Sequence, residues 1–297
     1  MRVLITGATG QLGHALQKTH TVFSNQCDLE LIALSRAEMD LAKPETIEEV
    51  LGTFSPNAVI NAAAYTAVDK AETEQELASV INTDAVTQIA RWCEKNAAIL
   101  IQVSTDFVFD GKKSSAYDVT DQPNPIGIYG KTKHSGERAA LEECVSSYVV
   151  RTGWVYGEHG ANFAKTILRL ANERDQLGIV ADQIGTPTYA KNLAETLWVL
   201  LLAKPEQRLW HFSDAGVASW YDFAVAITEE ANQIGLLNRK PSIKPISTQE
   251  YPTPAVRPSF SVLNKKSTWD GLNLTPKHWR QALKEMLQEL YSIQQSN

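Results

Sequence analysis

The sequence predicts an α/β fold: a doubly wound parallel sheet, followed by a smaller and mostly helical part. Three observations predict it. Short, nearly all-apolar strand segments alternate with helical ones through the first half, the pattern of a parallel sheet covered on both faces. A glycine-rich turn follows the first strand at once. The second half drops the alternation and reads as helices joined by proline-rich chain.

The elements follow in order. The apolar segment Arg2–Thr6 reads as the first strand and residues 11–20 as the first helix. Residues 30–35 make a second strand. Residues 44–54 make a helix opened by Pro44, whose missing N–H does no harm there. Ala58–Asn61 is a third strand, and residues 71–95 carry one long helical periodicity. Strands at 99–103 and 148–151 flank a helix at 129–143. Helices are expected at 162–173, 190–202, 220–234 and 276–291, the last with Trp279, Leu283, Met286, Leu287 and Leu290 on one stripe. Residues 1–154 are therefore expected as a dinucleotide-binding domain to which 190–212 returns. Residues 155–297 are expected mainly as a substrate-binding part.

Composition narrows the function. The chain is 43% hydrophobic and 21% charged, which fits a globular protein. A net charge of −6 argues against a nucleic-acid coat, which needs a basic face. Cys27, Cys93 and Cys144 are far apart and read as buried or free thiols of a reducing cytoplasm. No targeting segment is read, and the longest apolar run, 197–203, is far short of the roughly 20 residues a membrane span needs. A cytoplasmic location is expected. The six histidines show no paired metal spacing, and no G-x-S-x-G nucleophile elbow occurs.

The motif GATGQLG, residues 7–13, sits between the first strand and the first helix. Glycines serve there because the turn is tight, the backbone must approach a pyrophosphate, and the helix must pack on the strand. The helix N-terminus offers free N–H groups to phosphate. Gly7, Gly10, Gln11, Leu12 and Gly13 are thus candidate binders of NAD(P)H in a Rossmann-type fold. A phosphate-loop alternative at Gly130, Lys131 and Thr132 fails, because the required earlier glycine position is Pro125. After the second strand, Ser35 and Arg36 could hold a 2′-phosphate, which favours NADPH, with NADH as the alternative. Asp40 and Leu41 would lie near the adenine. The small residues Ala62, Ala63 and Ala64 leave room for the cofactor after the third strand.

Tyr129 and Lys133 share one helix face by their i,i+4 spacing. Hydride addition to a ketone leaves an alkoxide that needs a proton, which a tyrosine can give as general acid. Lys133 is expected to lower the Tyr129 hydroxyl toward neutral pH. Thr105 and Asp106 stand at the carboxyl end of the fourth strand, where Thr105 could hold the substrate carbonyl or simply cap a turn.

Taken with segments 61–72, 104–111, 151–156, 162–171, 182–187 and 251–258, these residues resemble the extended short-chain dehydrogenase/reductase family nearly end to end. The resemblance implies a nucleotide-sugar substrate, dTDP-4-dehydro-L-rhamnose. NAD(P)H would reduce its C4 keto group while Tyr129 protonates O4 and Thr105 and Asp106 position the sugar. It further implies that Trp154 packs on the nucleotide sugar and that Asn162 and Arg257 belong to the same side. Alternatives within the family are a reductase, epimerase or dehydratase of another 4-keto sugar. Outside catalysis stands a regulatory subunit like that of some methionine adenosyltransferases. Some members pair through a metal held by glutamates. At those places this chain has Ala15 and Lys191, so no metal is expected, and a monomer or homodimer is.

Overall fold

The computed structural model describes residues 1–24 and 28–295, so Cys27 lies outside it; Cys93 and Cys144 are buried and free. The first half builds strands β1 (Arg2–Thr6), β2 (Glu30–Leu34), β3 (Ala58–Asn61), β4 (Ile99–Thr105) and β5 (Ser147–Thr152). Helices α1 (Gln11–Ser24), α2 (Ile47–Phe54), α3 (Ala85–Lys95) and α4 (Ile128–Glu143) connect them. Further on come α5 (Phe163–Glu173), β6 (Gln176–Val180), α6 (Ala190–Ala203), β7 (Leu209–His211), α7 (Trp220–Gln233), β8 (Ser242–Ile246) and α8 (Trp279–Gln295).

Six strands form one parallel sheet in the order β7-β5-β4-β3-β1-β2. This is the doubly wound arrangement the sequence predicts. Side chains alternate between the two faces. Val3, Ile5, Ile60, Ile101 and Val150 point to the face covered by α1 and α6. Their neighbours Leu4, Val59, Leu100 and Val149 point to the face covered by α2, α3 and α4. Both sets are fully buried, which is why these strands read as unbroken apolar runs. Each such side chain contributes roughly 1.5–3 kcal/mol relative to exposure. A third core joins α5, α7 and α8 through Ile167, Phe223, Ile227, Leu283 and Leu287, beside the parallel pair β6 and β8.

Three details depart from the sequence reading. The periodicity at 71–95 is not one helix: Val68–Ala71 and Gln75–Ser79 are separate turns, and a wide turn at Val80–Asp84 precedes α3. Here α4 crosses so closely that a Cβ on Gly136 would lie 2.0 Å from the Asn82 carbonyl oxygen. The wider turn also aims the Asn82 side chain inward. Residues 44–54 divide into a short turn at Pro44–Thr46 and α2. Strand β7 is three residues long and carries His211, so no apolar run announced it. No helix among the described residues is long and apolar enough to cross a membrane.

Candidate active site

A cavity of about 730 Å³ opens at the carboxyl ends of β1, β3, β4 and β5. It lies at the switch point of the sheet, where the chain leaves β1 toward β2 on one side and toward β3 on the other. One end is the glycine turn. Gly7 has φ +67°, and a Cβ on Gly13 would sit 2.2 Å from the Gly7 carbonyl oxygen. Only glycine lets α1 start this close to β1. Gly7, Gly10, Gln11 and Leu12 line the cavity, while Gly13 lies beneath as the packing contact.

Ala62, Ala63 and Ala64 form the adjoining wall. A buried polar chain fixes them. The Thr6 hydroxyl accepts from the Ala63 N–H at 3.1 Å and donates to Asn61 Oδ1 at 2.6 Å. Asn61 Nδ2 donates to Gln102 at 2.7 Å, and Gln102 donates to the Val103 carbonyl at 2.9 Å. The same carbonyl accepts from Lys133 Nζ at 2.7 Å. Three strands and α4 are thus locked together across the floor. Asn82, which the sequence reading missed, clamps this loop from the other side. It exchanges hydrogen bonds with the Tyr65 backbone at 2.9 and 3.2 Å and donates to Thr132 at 3.1 Å.

At the end of β2 the predicted pair Ser35 and Arg36 divides. Arg36 and Asp40 line the cavity and bond each other at 3.2 Å, with the Arg36 side chain 74% exposed. Leu41 lines it as well. Ser35 turns away, its hydroxyl and N–H both bonded to Glu38 at 2.8 Å.

The other end holds the residues the sequence predicts as catalytic. Gly130 brings α4 against the chain after β4, since a Cβ there would lie 2.2 Å from the Phe107 carbonyl oxygen. Tyr129, half-buried and edge-on to Phe107, and the buried Lys133 both face the cavity. Thr105 lines it too, while its hydroxyl also caps the turn Asp106–Val108 through the Phe107 N–H at 3.2 Å. Asp106 is buried beside it at 3.1 Å. Burial pushes Asp106 up to about 6, against the pull of Ser261 and Thr105.

The expected lowering of Tyr129 by Lys133 does not occur. Burial instead pushes the Tyr129 hydroxyl up to about 12; Thr105 opposes the rise and the Asp106 charge adds to it. Burial also draws Lys133 down to about 8, with Glu137 opposing. Lys133 is anchored on Val103 rather than on the phenol. Tyr129 is therefore a protonated phenol at neutral pH, the form a proton donor requires.

Trp154 adopts the left-handed φ of +52°, rare for a bulky residue. Its indole fits where Gly185 has no Cβ and stacks on Trp220, ring centroids 3.5 Å apart and planes within 6°. Both line the cavity. Trp220 escaped the sequence reading because a tryptophan at a helix start carries no spacing signal. Arg257 reaches the rim but is held by Asp69 at 2.8 and 3.0 Å. Asn162 does not line the cavity: it caps α5 and donates to Gln11 and the Gly157 carbonyl, tying the loop before α5 to the glycine turn. The buried Thr152 hydroxyl lines the cavity with no hydrogen-bond partner among the described residues.

Ala15 lies in α1, and one turn on Lys18 bonds both Glu158 and Glu289. Among the described residues no group of three or more His, Cys, Asp or Glu could hold a metal.

Known proteins share this architecture. Residues 1–292 match the family described as the RmlD substrate binding domain. The chain is 40% identical over 290 residues to the dTDP-4-dehydrorhamnose reductase of Aggregatibacter actinomycetemcomitans, covering 96% of this chain and 98% of that one. The crystal structure of a Clostridium acetobutylicum dTDP-4-dehydrorhamnose reductase superposes with a TM-score of 0.91 at 35% identity, over 98% of this chain and 100% of that one. The Bacillus anthracis enzyme, solved in complex with NADP, gives 0.89 at 35% identity, over 97% and 99%. With its doubly wound sheet, its cavity at the switch point and this similarity over nearly its whole length, the chain belongs to the dTDP-4-dehydrorhamnose reductase family.

Proposed function

We propose that this protein reduces the C4 keto group of dTDP-4-dehydro-L-rhamnose with NADPH, giving dTDP-L-rhamnose. The observation that carries the reading is the meeting of Tyr129, Lys133 and Thr105 with the glycine turn in one cavity.

The cavity fits a dinucleotide. The glycine turn and the N-terminus of α1 suit a pyrophosphate, Ala62, Ala63 and Ala64 leave space beside it, and the guanidinium of Arg36, 74% exposed and paired through Nε with Asp40, keeps its terminal nitrogens for a 2′-phosphate. When bound, NADPH supplies the hydride. The chain's own residues do the rest. Thr105 offers its hydroxyl to the sugar carbonyl and fixes its angle. Tyr129 gives its proton to O4 as the alkoxide forms. The transfer is downhill even from a phenol raised to about 12, because an alkoxide is a stronger base than a phenolate. Lys133, held on the Val103 carbonyl, would bind the ribose hydroxyls of the cofactor through its ammonium. The stacked Trp154 and Trp220 form an apolar wall for the nucleotide sugar. Residues 1–154 with 190–212 carry the cofactor side, and the rest of the chain closes the sugar side.

Tyr129→Phe removes the proton donor with little change in shape. NADPH oxidation with dTDP-4-dehydro-L-rhamnose should fall by about 10²–10⁴-fold, with NADPH binding retained. A wild-type protein that binds NADPH yet releases neither NADP nor the reduced sugar would move the reading to another 4-keto sugar, an epimerase or a regulatory subunit.

A further inference from the structure

Behind Lys133 lies a buried cluster whose other members the reaction as described does not use. Lys133 and Glu137 stand one turn apart on α4 and are 4% and 2% exposed. Glu137 accepts two hydrogen bonds from Arg151 of β5, at 2.9 and 2.8 Å, and faces His134 at 3.3 Å. Arg151, 3% exposed, also meets His211 of β7 at 3.4 Å. His211 donates from Nδ1 to the Tyr117 carbonyl at 3.1 Å, which leaves Nε2 to accept from Arg151. Burial draws His211 down to about 3, so it is neutral. The Val103 carbonyl and Ser104 of β4 complete the surroundings.

We propose that Glu137, clamped by Arg151, is a positioning residue of the reduction: it is the buried counter-charge that keeps Lys133 an ammonium beside Tyr129.

The argument starts from charge. Two cations, Lys133 and Arg151, lie in the interior around one anion. Arginine keeps its proton in any environment, whereas a buried lysine gives its proton up readily. Without the anion, Lys133 is the group that loses charge. Burial already draws it down to about 8, and Glu137 opposes that fall. Glu137 in turn is held at about 2 against burial by His134 and Arg151, so it stays ionised throughout the working range. A buried ion pair is a weak source of stability compared with apolar residues of the same shape. Stability alone therefore gives little reason for full charges here, whereas charge on Lys133 does.

The inference rests on the cofactor role given to Lys133 above, so its test is read by binding rather than by turnover. The dissociation constant for NADPH is measured from pH 6 to 10 by tryptophan quenching in wild type, Lys133→Met, Glu137→Gln and Glu137→Asp. Wild type should lose affinity on an alkaline limb that Lys133→Met lacks. In Glu137→Gln that limb should move down by at least one pH unit, about a fivefold loss of affinity at pH 8 that grows toward tenfold at higher pH, while Glu137→Asp, which keeps the charge, restores most of it. A folded Glu137→Gln with the wild-type limb, or weakened equally at every pH, overturns the inference. If Glu137→Gln does not fold, Glu137→Asp decides: a limb lowered by a fraction of a unit supports it, and an unmoved limb overturns it. If Lys133→Met binds NADPH like wild type at every pH, the cofactor role of Lys133 fails instead.

Discussion

Tyr129 and Lys133 were legible because their chemistry is local. Four residues on one helix place two side chains on one face whatever else the chain does. What surrounds them was not legible. The direction of the Tyr129 shift depends on burial and on Asp106, which comes from the turn after β4. Ser35 and Arg36 make the same point. They are adjacent in sequence, yet Glu38 captures the serine and leaves the arginine at the cavity rim. Arg36→Ala should therefore weaken NADPH by about tenfold, the worth of one exposed charge-assisted contact, and leave NADH nearly unchanged. Isothermal titration with both cofactors checks this; equal losses would place the 2′-phosphate elsewhere.

Among the elements, the glycine turn carries the clearest consequence. A methyl on Gly13 meets the Gly7 carbonyl oxygen and the Ala8 backbone, none of which is a flexible side-chain end. Gly13→Ala should push α1 off β1, costing about 1–3 kcal/mol by overpacking and losing most NADPH affinity. Thermal melting and cofactor titration report the two effects, and an unchanged melting temperature would contradict the contact. The interrupted helix at 71–95 shows the limit of periodicity. Asn82 fits the helical pattern, but its three hydrogen bonds to Tyr65 and Thr132 need a wider turn, and those partners come from elsewhere in the chain.

On the scale of the whole molecule, buried charges set the pH response. Asp214 lies beyond β7, accepts from the Tyr189 N–H and from Asn192, and is pushed by burial up to about 7. Its folded pKa stands above the unfolded value, so the folded state binds more protons between them. Stability from this group is present below about pH 4 and falls as pH rises toward 7. Asp214→Asn should flatten that fall, by roughly 4 kcal/mol at most. Melting temperatures from pH 4 to 8 read it; a slope as steep as wild type refutes the assignment. Assembly is a second question at this scale. Ala15 and Lys191 stand where relatives are expected to offer glutamates, and Lys18 already occupies Glu158 and Glu289. EDTA should leave the sedimentation coefficient unchanged, and a chelator-induced shift would show a metal-linked dimer.

The sequence by itself determined the parallel sheet, the glycine turn and the Tyr129–Lys133 pair, because strand alternation, a glycine turn and helical spacing are properties of neighbouring residues. Only the tertiary structure decided that 209–211 is a strand paired with β5, that Trp220 meets Trp154, that Asn162 serves as a cap, and that Arg151 and Glu137 pair in the interior. Each of these depends on residues brought together from separate parts of the chain, and their contact energies exist only once the sheet has closed.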